Sequence, residues 1–278
     1  MTRRSASDRI LPATRWVAAL VIPFLVAAFA ILYIVPEQTE QLFAWKLRPT
    51  MSAMMLGAAY AGGIYFFGGV LLSRQWHRVK IGLLPVASFA ALLGIATILH
   101  WDRFNHAHVS FFAWFGLYLT TPFIVLAVWL RNRTEDSGEP DARDMVVPHW
   151  ARVMFGAVGV INLLISLFLF VVPAAMIDVW PWALTPLTAR VLSAMFALPA
   201  VVGLGMALES RWSAARLILQ SQGFSIVLIL AALARSGGEL DWTRPGSWLF
   251  ACGLAGLLVG IALFYMAMQL QSRHGTHQ

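Results

Sequence analysis

The run His100-Trp101-Asp102-Arg103-Phe104-Asn105-His106-Ala107-His108 is the stretch of this chain whose side chains could best do chemistry together. Imidazoles with a carboxylate suit zinc, copper or iron. In a helical turn Asp102 and His106 share a face, whereas His106 and His108 share one only in extended backbone. A mononuclear site for a divalent transition metal, built from His100, Asp102 and His106 with His108 as the alternative ligand, is sterically allowed. It would suit a membrane metal-binding or redox enzyme. The same residues also suit a plainer role: histidine is at home at a membrane interface, and Asp102 can pair with Arg103 or cap the next helix. The spacing matches no zinc-protease or zinc-finger pattern.

A second constellation is a repeated block. Trp45-x-Leu47-x-Pro49 returns as Trp182-x-Leu184-x-Pro186, each nine residues after a proline, Pro36 or Pro173. An offset of 137 residues produces ten identities across Leu32–Arg74, and Trp101-x-Arg103 pairs with Trp242-x-Arg244 at an offset of 141. The prolines end one helix and open the next. The Trp45 and Trp182 indoles are expected half in lipid and half in water. The block reads either as a re-entrant segment that pins helix ends or as paired flaps that bind or gate a ligand. In the second reading Trp45, Pro49, Trp182, Pro186 and Arg190 are the residues to watch. Arg190 could equally snorkel to the headgroups.

The elements that must position these groups follow from composition. Of 278 residues, 59% are apolar and 12% are charged, with a mean hydropathy of +0.73. A soluble domain carries about 25% charged residues. A soluble enzyme, a disordered chain and a disulfide-stapled domain are excluded, and Cys252, the one cysteine, sits in an apolar run. A spanning helix needs about 20 apolar residues. Eight such runs are present: Trp16–Val35, Met51–Ser73, Ile81–Leu99, Val109–Leu130, Val153–Val172, Ala189–Leu208, Ala214–Ala234 and Ser247–Leu270. The first has a basic leader but no small-x-small cleavage pattern, so it reads as a retained helix. The expected fold is all-α integral membrane, with eight transmembrane helices as two tandem four-helix repeats. Residues 1–133 form the first repeat, 134–148 a cytoplasmic linker and 149–278 the second repeat.

Fourteen of the twenty Lys and Arg residues fall on the side of the termini and even-numbered loops, and six on the other. Acidic residues divide seven and six, so the whole net charge of +7 lies on one face. The positive-inside rule then places both termini in the cytoplasm of a plasma-membrane protein, N-in and C-in. The cations are spread over separate loops, which fits anionic lipids on the cytoplasmic face and not nucleic acid.

No span carries a charge at mid-depth, which disfavours an ion-coupled pump, and no pair of histidines faces across two spans to hold a b-type haem. Asn162 and Ser166 lie four residues apart and could bond across a helix interface. Pro23, Pro85, Pro122 and Pro199 interrupt helices. Glycines cluster in span 2 (Gly57, Gly62, Gly63, Gly68, Gly69) and span 8 (Gly253, Gly256, Gly260). Such helices approach neighbours closely, within the bundle or in a homodimer.

The tandem Trp-x-Leu-x-Pro pattern, with Leu99-His100-Trp101-Asp102-Arg103-Phe104, resembles a family of uncharacterised multi-pass membrane proteins of bacteria with a tandem four-helix repeat. The resemblance covers most of the chain. It implies a bacterial plasma membrane and transfers no functional residues. Three functions stay open: a non-enzymatic binder or transporter of an apolar or lipid-like molecule, a metal-binding or redox enzyme using the histidine loop, and an accessory or scaffold subunit of a larger membrane complex.

Overall fold

Prolines set several helix starts. Pro12, Pro186 and Pro245 each stand first in a long helix, where the missing N–H costs nothing. In the computed structural model, which describes residues 7–136, 138 and 144–274, the long helices are α1 (Pro12–Phe29, prolonged by a π turn over Ala30–Ile34), α2 (Thr50–Leu72), α3 (Lys80–Leu99), α4 (Val109–Asn132), α5 (His149–Val171), α6 (Pro186–Leu208), α7 (Trp212–Ser236) and α8 (Pro245–His274). The described residues contain no strand. All eight helices are long and apolar enough to cross a membrane. Large side chains such as Phe123, Leu164 and Leu249 lie exposed on the bundle exterior, as a lipid-facing surface requires. Arg3, Arg4, Arg143 and linker residues 139–141, counted above in the charge asymmetry, lie outside the described residues.

The helices pack in two rows. One runs α1–α2–α7–α8 and the other α5–α6–α3–α4; α1 against α4, α2 against α6 and α3 against α7 join them. Each row therefore takes two helices from each half of the chain. Lipid tails are as apolar as leucine, so close backbone approach and interhelical hydrogen bonds, worth roughly 0.6 kcal/mol each, replace the hydrophobic effect as glue. Gly159 of α5 meets Gly203 of α6 back to back: a Cβ on Gly159 would lie 2.8 Å from Ala200 O and 2.9 Å from Leu204 N. Ser166 Oγ donates to Ser193 O (2.7 Å) in the same pair, and Ser221 Oγ of α7 donates to Gly62 O of α2 (2.8 Å). Thus Ser166 makes the expected cross-helix bond alone, without Asn162.

The glycines of span 2 behave as expected at Gly57, Gly62, Gly63 and Gly69, each with a neighbour inside 3.1 Å of an added Cβ. Gly68 and the span 8 glycines do not: Gly253, Gly256 and Gly260 face open space. α8 lies at the end of its row, so these positions have no intramolecular partner to approach.

Candidate functional site

Between the two rows lies a cavity of about 270 Å³. It is near the lower end of the roughly 300–1,000 Å³ of small-molecule sites. Every long helix except α5 contributes to its wall: Leu25, Met55, Phe89, Tyr118, Met195, Ile226 and Leu257 are one from each. Leu257 is 50% exposed on α8, so the cavity reaches the lipid-facing side. Three of its six hydroxyl or amide side chains are committed within the wall. Tyr60 and Tyr118 share a hydrogen bond of 2.5 Å, and Ser221 is committed to Gly62 O. Apart from Thr121, Gln222 and Ser225 the remaining wall is methyl, methylene and ring carbon, which selects an apolar occupant. Most of the lining residues come from the middle of the helices, with Gly82 near the start of α3. None of Trp45, Pro49, Trp182, Pro186 or Arg190 lines it.

The two tryptophans do not straddle lipid and water. Trp45 is 4% and Trp182 3% exposed, because the segments after α1 and α5 fold inward over the helix ends. Trp45 packs edge-on against Trp114 (4.7 Å between centroids) and Phe104 (5.1 Å). Trp182 Nε1 donates to Ser52 Oγ of α2 at 2.8 Å, tying the two halves together. Pro186 opens α6, and Pro49 stands one residue before α2 as its N-cap.

On this same face the four candidate metal ligands are not brought together, and no group of three or more His, Cys, Asp or Glu side chains among the described residues could hold a metal ion. His106 lies against the rings of Trp101 (4.8 Å) and Phe111 (4.6 Å). His108 Nδ1 accepts from Ser110 N at 3.2 Å and caps α4. Asp102 is exposed in a 3-10 turn. His100 Nε2 accepts from Arg190 Nη1 at 2.7 Å. Arg190 thus turns inward to an imidazole. Burial pushes the His100 pKa down, and the positive charges of Arg190 and Arg103 push it further the same way.

The opposite face, which carries the start of α1 and the end of α8, holds the most connected polar network among the described residues. Its ionic part joins Lys80 of α3, Asp136 after α4, and Glu209 and Arg211 between α6 and α7. Lys80 Nζ lies 2.6 Å from Asp136 Oδ2 and 2.5 Å from Glu209 Oε2. The Arg211 guanidinium, 2% exposed, bonds both carboxylates at 2.8–3.0 Å. Burial alone would raise both acids; hydrogen bonds from Arg211 and Lys80 outweigh it. They hold Glu209 at about 2 and Asp136 well below the usual carboxylate range.

Beside it runs a chain of hydrogen bonds. Asp8 Oδ2 meets His77 Nδ1 at 2.5 Å, His77 Nε2 meets Ser213 Oγ at 2.9 Å, and Ser213 Oγ donates to Asp144. Asp8 also accepts from His77 N (3.0 Å), as Asp144 does from Ser213 N (3.1 Å). The groups follow the order of a hydrolytic triad. However, the Ser213 hydroxyl hydrogen is committed to Asp144, so the imidazole is not placed to take it as a base would. The arrangement ties loops together. Asn132 does likewise, its amide accepting from Leu11 N (2.9 Å) and Thr14 Oγ1 (2.8 Å) and donating to Arg9 O (2.9 Å) at the start of α1.

Comparison with family models, curated proteins and solved structures finds no match. The cavity and the two polar faces therefore carry the functional argument. Of these, the proximity of Glu209 to Arg211 was legible in the sequence. His77, Lys80, Asp136 and Asp144 were not singled out there as one network. The available signal was the 137-residue offset carried past Arg74: it sets His77 one residue from Ser213 and Asp8 one residue from Asp144.

Proposed function

We propose that this chain is a non-enzymatic membrane protein that binds or moves an apolar or lipid-like molecule. The cavity between the two helix rows carries this reading: its wall is almost wholly apolar and it reaches the lipid-facing side through α8. A hydrocarbon chain needs no buried charge to be held there, and the spans supply none at mid-depth.

The proposal includes two like-oriented four-helix units, residues 1–133 and 149–278, with both termini in the bacterial cytoplasm. Several matched pairs support the units. Backbone bridges join Arg9 to Gln75 and Val146 to Arg211. Asp8 caps His77 as Asp144 caps Ser213. α1 packs on α2 as α5 on α6, and α2 packs on α7 as α6 on α3. Cavity use is tested by native mass spectrometry of the full chain with a neutral monoacylglycerol. Filling the wall with Ala59→Phe and Val86→Trp together should weaken uptake about fivefold, roughly 1 kcal/mol. Undiminished uptake by a folded double variant would remove the reading.

A second reading, an accessory or homodimeric subunit, has one observation behind it. Gly253, Gly256 and Gly260 leave a row of α8 open to another membrane helix.

A further inference from the structure

In the fold Arg103 matches Glu239, of opposite charge, and not Arg244 as the sequence offset of 141 had it, because Asn105 N bonds Ala44 O where Asp241 N bonds Pro181 O. Each is the third residue of a 3-10 turn that follows a long helix, α7 in one case and α3 in the other. Glu239 reaches the start of α2. Its carboxylate accepts from Thr50 N (3.0 Å), Met51 N (2.8 Å) and Thr50 Oγ1 (2.8 Å). The corresponding corner beside α6 holds Arg190, His100 and Arg103, and the fields acting on His100 there are those of two cations.

Arg190 is short of partners. Its Nη1 donates to His100 Nε2, and its Nε is buried with no hydrogen-bond partner. That imidazole is the sole hydrogen-bond partner of the guanidinium among the described residues. With Nη1 engaged, the Nε–Nη2 edge stays free. Those two parallel N–H groups match a carboxylate or phosphate bidentately. Arg190 is partly buried, and a guanidinium whose Nε is shut off from water without a partner gains by pairing with an anion, so an anion supplied from outside is favoured.

We propose that the Arg190–His100–Arg103 corner is an anion site for the phosphate or carboxylate headgroup of an amphiphile. Arg190 lies five residues before Met195, which lines the central cavity. At 1.5 Å per residue this is roughly 7.5 Å along α6. A headgroup on Arg190 therefore leaves its hydrocarbon chain level with the cavity. The site itself stands apart from the cavity reading; only the placement of the chain rests on it.

The test titrates the full chain in detergent, by native mass spectrometry, with lysophosphatidic acid, with the monoacylglycerol of the same chain, and with inorganic phosphate. Lysophosphatidic acid should bind at least about tenfold tighter than the neutral lipid. Arg190→Gln should erase that preference while leaving monoacylglycerol binding unchanged, and Arg190→Lys should restore part of it. Arg103→Glu, which supplies an internal carboxylate as Glu239 does, should erase it too and covers the case in which Arg190→Gln does not fold. Unchanged affinity for lysophosphatidic acid in the folded variants overturns the site. Full displacement by millimolar inorganic phosphate reassigns it to the free ion and overturns the headgroup assignment. Arg190-dependent binding without any monoacylglycerol uptake keeps the anion site and sinks the cavity reading; the converse sinks the anion site alone.

Discussion

Glu209 and Asp136 show how a few residues fix the end of a membrane bundle. Both acids are desolvated, and both are nevertheless held ionised because Arg211 and Lys80 donate to them. A carboxylate whose folded pKa is depressed stabilises the fold above its unfolded pKa and loses that contribution as pH falls through the folded value. For Glu209 the window runs from its ordinary value of 4.5 down to about 2. The melting temperature in detergent should therefore fall as pH is lowered from 5 toward 2, and Glu209→Gln should flatten part of that slope. A slope identical in the variant would remove Glu209 from the account. The sequence brought Glu209 and Arg211 together because they are neighbours. Asp136 read only as part of the 134–148 linker, since its partners lie 56 and 75 residues away. Likewise, the histidine loop drew attention by its composition, yet each imidazole there found a separate partner.

Span boundaries were legible to within about four residues, because about 20 consecutive apolar residues leave few alternatives and because prolines mark several starts. What the apolar runs could not show was which face of each helix meets which neighbour. The inward folding of Trp45 and Trp182 was hidden for the same reason: an interfacial belt and an aromatic plug use the same residue. Glycine context is a direct test at this scale. Gly159→Ala pushes a Cβ against the backbone of α6 and should cost about 1–3 kcal/mol, the usual range for overpacking. At exposed Gly256 an added Cβ meets nothing within 4 Å, so Gly256→Leu points its side chain away from the bundle. It should leave thermal stability unchanged in detergent and lower cross-linked dimer in native membranes if α8 is a docking face. Equal destabilisation by the two substitutions would contradict the packing described here.

The molecule as a whole puts its densest ionic network on one face and a sparser, aromatic-rich surface on the other. The proposed orientation puts the first face in the cytoplasm, and cysteine labelling tests it. In a Cys252→Ser background, Thr134→Cys should react with a membrane-impermeant thiol reagent only after cell lysis, whereas Ala107→Cys should react in intact cells. Both positions are exposed and lie on opposite faces. The reverse pattern would invert the assignment. The two-row interleaving is the part of the architecture that no single-sequence pattern carried. The 137-residue offset related the halves but was silent on whether they stand side by side or share rows.

That interleaving bears on the peptide link between the halves. Asp136, from the first half, grips Arg211 in the second; Trp182 bonds Ser52; Glu239 holds the start of α2; and α2 and α3 each lie along a helix of the other half. None of these interactions passes through residues 139–143. A gene split there should yield two polypeptides that still carry these complementary surfaces and associate in the bilayer.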